Sequence, residues 1–490
     1  MRIKIKYKEI LFLMVLFAGI VIAGCDKEDE IVPVEPEPQE DPVVVDSTKK
    51  DTVDYALKKA QKFFLNNCFP YYYWYDEMDS TVKSFKLTDF KTIYSFFEAT
   101  LYSRDRWSWM ADGDYFAQSE TGEYEGTWGA SLVQQIEYYN NYDIRVAYVF
   151  PGSPFAKKGV KRGWILTEID GRPVMETIRD GSFYTEYYKS PQTFTFAEND
   201  GTTHTFIAEL ANVETNSYLK ATVFQPSDFP GLSEPVGYFN YLTFNAGMLD
   251  DINDAMTYFK AADIHKLILD LRYNGGGDLR ASQLLVNYLA PQSANGKVYV
   301  HTSHNKYHTE EDKRGYVSRM EGSLDLDALY VIGGDGTASA SELVINGLKP
   351  FLDVTLVGDT TYGKPNGMYV FMYPGTVTDM AKYNAGDYST LKYVFLPICF
   401  YNKNGEGETI PEDGFIPDNY RPDDLKHDFG VEEDNIKACL TKIVTGSFPD
   451  LPAPRVRTST KATNTNAVLR TAKDNPLYGL TIEPFPGQLE

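Results

Sequence analysis

The strongest constraint on the fold is a pattern that recurs between residues 236 and 364. Apolar, strand-like runs end in loops of small residues, and helical patterns follow. "HKLILDLRYNGGG" (265–277) stops on three glycines before "DLRASQLLVNYLA". "LDALYVIGG" (326–334) runs into "DGTASASELV" (335–344), and "DVTLVGDTTYGK" (353–364) ends in a further glycine loop. Strands alternating with helices at these lengths imply a layered α/β domain. In open α/β sheets, the loops at the carboxyl ends of the strands are where ligands bind.

If the three loops converge, they bring together backbone N–H donors, serine hydroxyls (Ser339, Ser341) and one lysine, Lys364. Those are the parts of a Ser/Lys hydrolase. A serine needs a base to become nucleophilic, and a lysine is a base near pH 7 only when neutral. Burial away from carboxylates lowers its pKa in that direction. The neighbours of Lys364 are Gly363, Pro365, Asn366 and Tyr362, with Asp359 the one acid close in sequence. Asp270 and Arg272 read as a structural ion pair. His301, His304 and His308, followed by Glu310 and Glu311, lack the spacing of a zinc site and read as a polar hairpin. No G-x-S-x-G occurs, which argues against a Ser-His-Asp hydrolase.

The rest of the chain sets the context. It has 490 residues, enough for several domains, and a formal charge of −22 without a basic cluster, which argues against nucleic acid as a partner. A basic start, the apolar run "LFLMVLFAGIVIA" and "GC" at Cys25 read as a secretory signal. Ile22–Cys25 resembles the bacterial lipobox, which implies lipidation at Cys25. Three cysteines remain (Cys68, Cys399, Cys439), so at most one disulfide can form, and Cys399 reads as a buried core residue. Residues 26 to 50 are Pro- and acid-rich, as in a tether. From Asp51 an apolar stripe and many aromatics predict a helical region. "IRVAYVF", "PGSPFAKKGV" and "GWILTEIDGRPV" (144–174) then resemble a bacterial PDZ domain. That resemblance implies capture of a peptide strand at a sheet edge, with a carboxylate-binding loop at Gly129, Ala130, Ser131 and Leu132.

The three loop stretches carry a second resemblance. "GTASASEL" (336–343), "TYGK" (361–364) and "LDLRYNGGG" (269–277) are similar to motifs of the carboxyl-terminal processing (tail-specific) proteases, Ser/Lys endopeptidases. The family's spacing of 25 residues from nucleophile to lysine implies Ser339 rather than Ser341 as nucleophile and Lys364 as general base. It implies an oxyanion hole from the N–H groups of Ala340 and Gly276, and no cofactor or metal. Two positions depart from the family pattern: Met368 stands where a Gln usually follows the lysine, with Asn366 the nearest amide, and Pro350 replaces an Asp.

The expected architecture is α+β / α/β and multidomain. A signal peptide (1–24) precedes the lipidated Cys and acidic tether (25–50). A helical N-terminal domain (51–116), a PDZ-like domain (117–212), a protease core of the Clp-protease/crotonase-like type (213–450) and a polar tail (451–490) follow. The resemblance implies a Gram-negative envelope lipoprotein, anchored to a membrane and cleaving proteins with exposed C-terminal tails. A catalytically weak peptide-binding lipoprotein and a same-fold hydrolase of non-peptide esters are the alternatives.

Overall fold

Strands buried on both faces need helices on both sides, and the core is built that way. The computed structural model describes residues 51–121, 123–134 and 143–450. The expected signal peptide, Cys25, tether and polar tail lie outside the described residues.

The central sheet has six strands in the order Tyr218–Phe224, Val236–Tyr241, Lys266–Asp270, Ala328–Gly333, Asp353–Gly358 and Asn419–Tyr420. The first pair is antiparallel and every later pair is parallel. Side chains alternate across it. Phe239, Tyr241, Leu267, Leu269, Leu329 and Val331 pack with the helices Leu249–Ala261, Leu279–Leu289 and Ala340–Leu348. Tyr238, Ile268, Tyr330 and Ile332 pack on the other face with the helix Asp434–Thr445. The period of two along each strand divides one apolar run between two cores.

A second, antiparallel sheet runs Ala130–Gln134, Ile144–Val149, Ile165–Ile169, Gln192–Ala197 and Thr203–Ala208, with Arg172–Pro173 added beside Ile165–Ile169. Its core is aromatic: Trp128 stacks on Phe155 at 5.4 Å, and Phe194 meets both rings. Asp170 and Gly171 both have positive φ (53° and 73°), the backbone a tight hairpin needs. The expected carboxylate loop is shorter than its sequence suggests. Gly129 sits in the turn, but Ala130, Ser131 and Leu132 already belong to the edge strand. Just before it, Trp128 is buried and donates to the Tyr187 carbonyl at 2.9 Å.

The N-terminal region departs from expectation. Its helices Asp51–Phe63, Tyr75–Lys83 and Ile93–Ala99 enclose a largely aromatic core that is shared with a distant part of the chain. Phe64, Phe96 and Phe97 pack on one another, and the cluster is completed by Phe395 and Ile398, about 300 residues on. The strand Trp109–Asp112 also pairs with Tyr393–Leu396. An aromatic-rich segment this short lacks the volume to bury its rings alone, so it uses the core as the other half of its interior.

A buried charge network ties the pieces together. Arg272 donates to Asp270 (2.8 Å and 3.0 Å), Glu433 (2.6 Å) and Asp423 (2.8 Å). Arg162, from the turn that leads into the strand Ile165–Ile169, meets Asp423 at 2.6 Å and the Tyr273 hydroxyl at 2.5 Å. Burial, the largest single influence, pushes the Asp423 carboxyl up, yet Arg162 and Arg272 together hold it down at about 2. Replacing Arg272 by Met leaves Asp270 and Glu433 buried without their cation. Urea unfolding of Arg272→Met is expected to show a loss of about 3–5 kcal/mol, and a loss under about 1 kcal/mol would contradict this reading.

Candidate active site

Three strand ends meet at one corner of the central sheet. After Lys266–Asp270 the chain turns through Asn274, whose side chain donates to the Tyr241 carbonyl (3.0 Å). The Asn274 carbonyl accepts from the Ala338 N–H (3.2 Å) and the Ser341 hydroxyl (2.8 Å). One residue therefore pins the glycine loop to the serine loop. Contact is tight enough that a Cβ at Gly276 would lie 2.8 Å from Ala338 O, Ala340 N and Ser339 Cβ. The next loop joins through Tyr362 N–H, which donates to Thr337 O at 3.0 Å.

The two serines of the small-residue stretch are thereby told apart. Ser341 is fully buried and its hydroxyl is used by Asn274. Ser339 is half-buried and sits where the helix Ala340–Leu348 begins. Its backbone has φ 57° and ψ −114°, a conformation that costs a non-glycine residue of order 1–3 kcal/mol. Strain of this kind at a sharp turn into a helix presents the side chain outward, as at a nucleophile elbow. The helix N-terminus adds a partial positive charge at the same point.

Glu342 is the residue that unites the site. It is fully buried, and its carboxylate accepts from Ser339 N–H (3.1 Å), Lys364 N–H (2.8 Å), Gly363 N–H (2.8 Å) and the Thr361 hydroxyl (2.6 Å). Ser339 N and Lys364 N bind the same oxygen, so they lie no farther apart than two hydrogen bonds end to end, about 6 Å. Burial raises the Glu342 pKa above the usual carboxylate range, against a smaller downward pull from the four donors.

Among the described residues, Lys364 meets no carboxylate through its amine. Its Nζ lies 3.8 Å from the Met368 sulfur, the position where the family pattern expects Gln. Burial, the largest influence, lowers its pKa to about 8 against the upward pull of Asp105 and Glu342. Asn366 makes no hydrogen bond to the lysine; its amide is buried without a partner among the described residues.

One expected feature differs. The Gly276 N–H donates to Asn274 Oδ1 at 2.9 Å, so in this conformation it does not point at the serine as an oxyanion donor. Ala340 N–H begins the serine helix beside it. At the expected peptide loop, Gly129 N–H is likewise taken, by the Thr127 hydroxyl at 2.9 Å. His304 ends the strand Val298–His304, which forms a hairpin with Arg314–Tyr316, and its ring is buried between Asp312 (2.9 Å) and the Tyr369 hydroxyl (2.8 Å). Cys68, Cys399 and Cys439 are buried and free.

Residues 235–396 match the family model "Peptidase family S41". The carboxyl-terminal-processing protease of Synechocystis sp. is 33% identical over 28% of this chain and 29% of its own length. The carboxy-terminal processing protease CtpB of Bacillus subtilis is 28% identical over 26% of this chain and 25% of its own. The chain thus spans less than a third of the length of these curated relatives. An S41 protease structure from Bacteroides fragilis shares the fold at a TM-score of 0.60 with 21% identity, covering 84% of this chain and 99% of that one. Over residues 235–396 the chain is thus similar to peptidase family S41. The curated relatives that it resembles over part of that stretch are carboxyl-terminal processing proteases.

Glu342 carried no assigned role in the sequence reading, although Ser339-x-x-Glu342 is the pattern of a capping box and signals a carboxylate folded back on the serine. Glu342→Gln replaces two acceptor oxygens by one and turns an NH2 group on N–H donors. We expect a stability loss of about 1–3 kcal/mol by urea unfolding, with wild-type stability contradicting the bridging role.

Proposed function

We propose that this chain is a serine endopeptidase in which Ser339 attacks the scissile carbonyl and Lys364 acts as general base. The observation that carries the reading is the shared Glu342 carboxylate, which draws the backbones of both residues to one point. The strained Ser339 backbone and the desolvated lysine support it. In the attack, Ser339 Oγ bonds to the carbonyl carbon while Nζ takes its proton. The Ala340 N–H offers a hydrogen bond to the developing oxyanion, worth about 3 kcal/mol for such a donor. Gly276 can join only by releasing Asn274. The amine then returns its proton to the leaving nitrogen, and water repeats the sequence on the acyl-enzyme.

The antiparallel sheet of residues 130–208 is read as a PDZ-like module. Its outer strand Ala130–Gln134 pairs only with Ile144–Val149 among the described strands, so its other edge offers N–H and C=O groups to an incoming C-terminal tail. With Cys25 lipidated, the enzyme would act at the Gram-negative envelope on proteins with exposed tails. The engagement of Gly276 by Asn274 favours one alternative, a weakly active form whose main role is peptide binding.

The test is cleavage of an unfolded protein by the chain and by Ser339→Ala and Lys364→Ala. Both substitutions should abolish turnover, and robust cleavage by either would remove the dyad. The rate should also depend on pH in a defined direction. Below about 8 the lysine is protonated and cannot accept a proton, so kcat/KM should rise from pH 6 to 9 with an inflection near 8. A profile flat across that range would contradict a lysine base.

A further inference from the structure

The peptide unit joining Gly363 to Lys364 is trans, so its carbonyl and N–H point in opposite directions. Its N–H end is held by Glu342, within the family-matched core. Its carbonyl end is held from outside that core. The Gly363 oxygen accepts from Arg106 Nη2 at 3.2 Å and from the indole N–H of Trp107 at 3.1 Å. The same Arg106 nitrogen reaches Tyr362 O (3.4 Å) and, closely, Glu412 O. Its guanidinium lies over the rings of Tyr362 (5.2 Å) and Trp107 (5.0 Å).

The clamp is itself built rigidly. Asp105 accepts from the Tyr72 hydroxyl (2.8 Å), from Trp107 N–H and Ser108 N–H (2.9 Å each) and from the Ser108 hydroxyl (2.5 Å). Ser108 in turn accepts from Ile398 N–H at 2.9 Å. Trp107 is 5% exposed, so its N–H has no water to turn to and depends on the Gly363 carbonyl.

Taking the Ser339/Lys364 reading as its basis, we infer that Arg106 and Trp107 are positioning residues for the general base. They fix the peptide from which the lysine side chain springs and seal the space around its amine. The active site is thus completed by the N-terminal region, and residues 235–396 do not hold it alone.

The charged groups around Lys364 are Asp105 and Arg106 from the N-terminal region, Glu342 from the serine helix, and Glu412, whose carboxylate turns to Arg104 (3.5 Å) and Tyr401 (3.3 Å). Two neighbouring substitutions should therefore act in opposite directions. Trp107→Phe and Arg106→Met open the seal, admit water, and move the lysine titration up towards its ordinary value. Asp105→Asn removes a negative charge that favours the ammonium, and moves it down.

The experiment uses the full chain in a Ser339→Ala background and titrates Lys364 by pH-dependent acetylation with acetic anhydride, read by mass spectrometry. In the catalytic background, Trp107→Phe and Arg106→Met should lower kcat about tenfold or more while KM changes less than about twofold. Opposite titration shifts with that kcat loss support the inference. Unchanged titration and kcat in both clamp variants overturn it, as does an upward shift in all three variants, which marks general loosening. If Arg106→Met does not fold, Trp107→Phe decides, because it deletes one donor from a ring that stays aromatic. Opposite shifts in a chain without Ser339-dependent cleavage would support the clamp and overturn the hydrolase reading.

Discussion

A buried carboxylate that faces no ammonium is the constraint on which the site depends. Burying Glu342 without donors would be costly, so it persists only because four N–H and O–H groups converge on it. Those donors come from two loops far apart in sequence. Each loop therefore has its backbone defined by the other, and neither can move without leaving an anion unpaired. The arrangement also separates two electrostatic tasks. Glu342 binds the backbone of Lys364, whereas the amine lies against a methionine sulfur. Had the carboxylate met Nζ directly, the lysine would be held as a cation and lost as a base.

The surrounding fold is arranged around this junction. Strand ends of the parallel sheet deliver the glycine, serine and lysine loops to one corner, and Asn274 sews the first two together. Arg272 anchors the start of the glycine loop to the last helix through Glu433 and to the turn before Ile165–Ile169 through Asp423 and Arg162. The same short segment thus carries contacts to the serine loop at one end and, through Asp423, to Arg162 at the other. The aromatic N-terminal region closes the third side by gripping the lysine loop.

Much of this was legible in the sequence because it is local. Uniformly apolar runs ending in glycine define strands buried on both faces, and the structure has them at Lys266–Asp270, Ala328–Gly333 and Asp353–Gly358. Asp170-Gly171 announces its hairpin, and Cys399 lies in the core as its apolar neighbours suggest. What escaped is long-range. Nothing near Arg106 or Trp107 points to a partner 256 residues away, and an aromatic-rich helical stretch looks like a domain until its missing half, Phe395 and Ile398, is seen. Glu342 lay between the two: its spacing from Ser339 was visible, but its bonds to Thr361, Gly363 and Lys364 were not. Gly276 shows a different limit. Its position beside the serine follows from sequence pattern, whereas the direction of its N–H is decided by an Asx turn at Asn274.

The most direct test of the central claim is covalent. The intact chain would be treated with a serine-directed phosphonate and digested, and the labelled peptide identified by mass spectrometry, alongside Lys364→Ala. The account predicts one adduct, on Ser339, formed rapidly in the parent and lost when the lysine is removed. Labelling of Ser339 that is indifferent to Lys364, or an adduct on another residue, would contradict it.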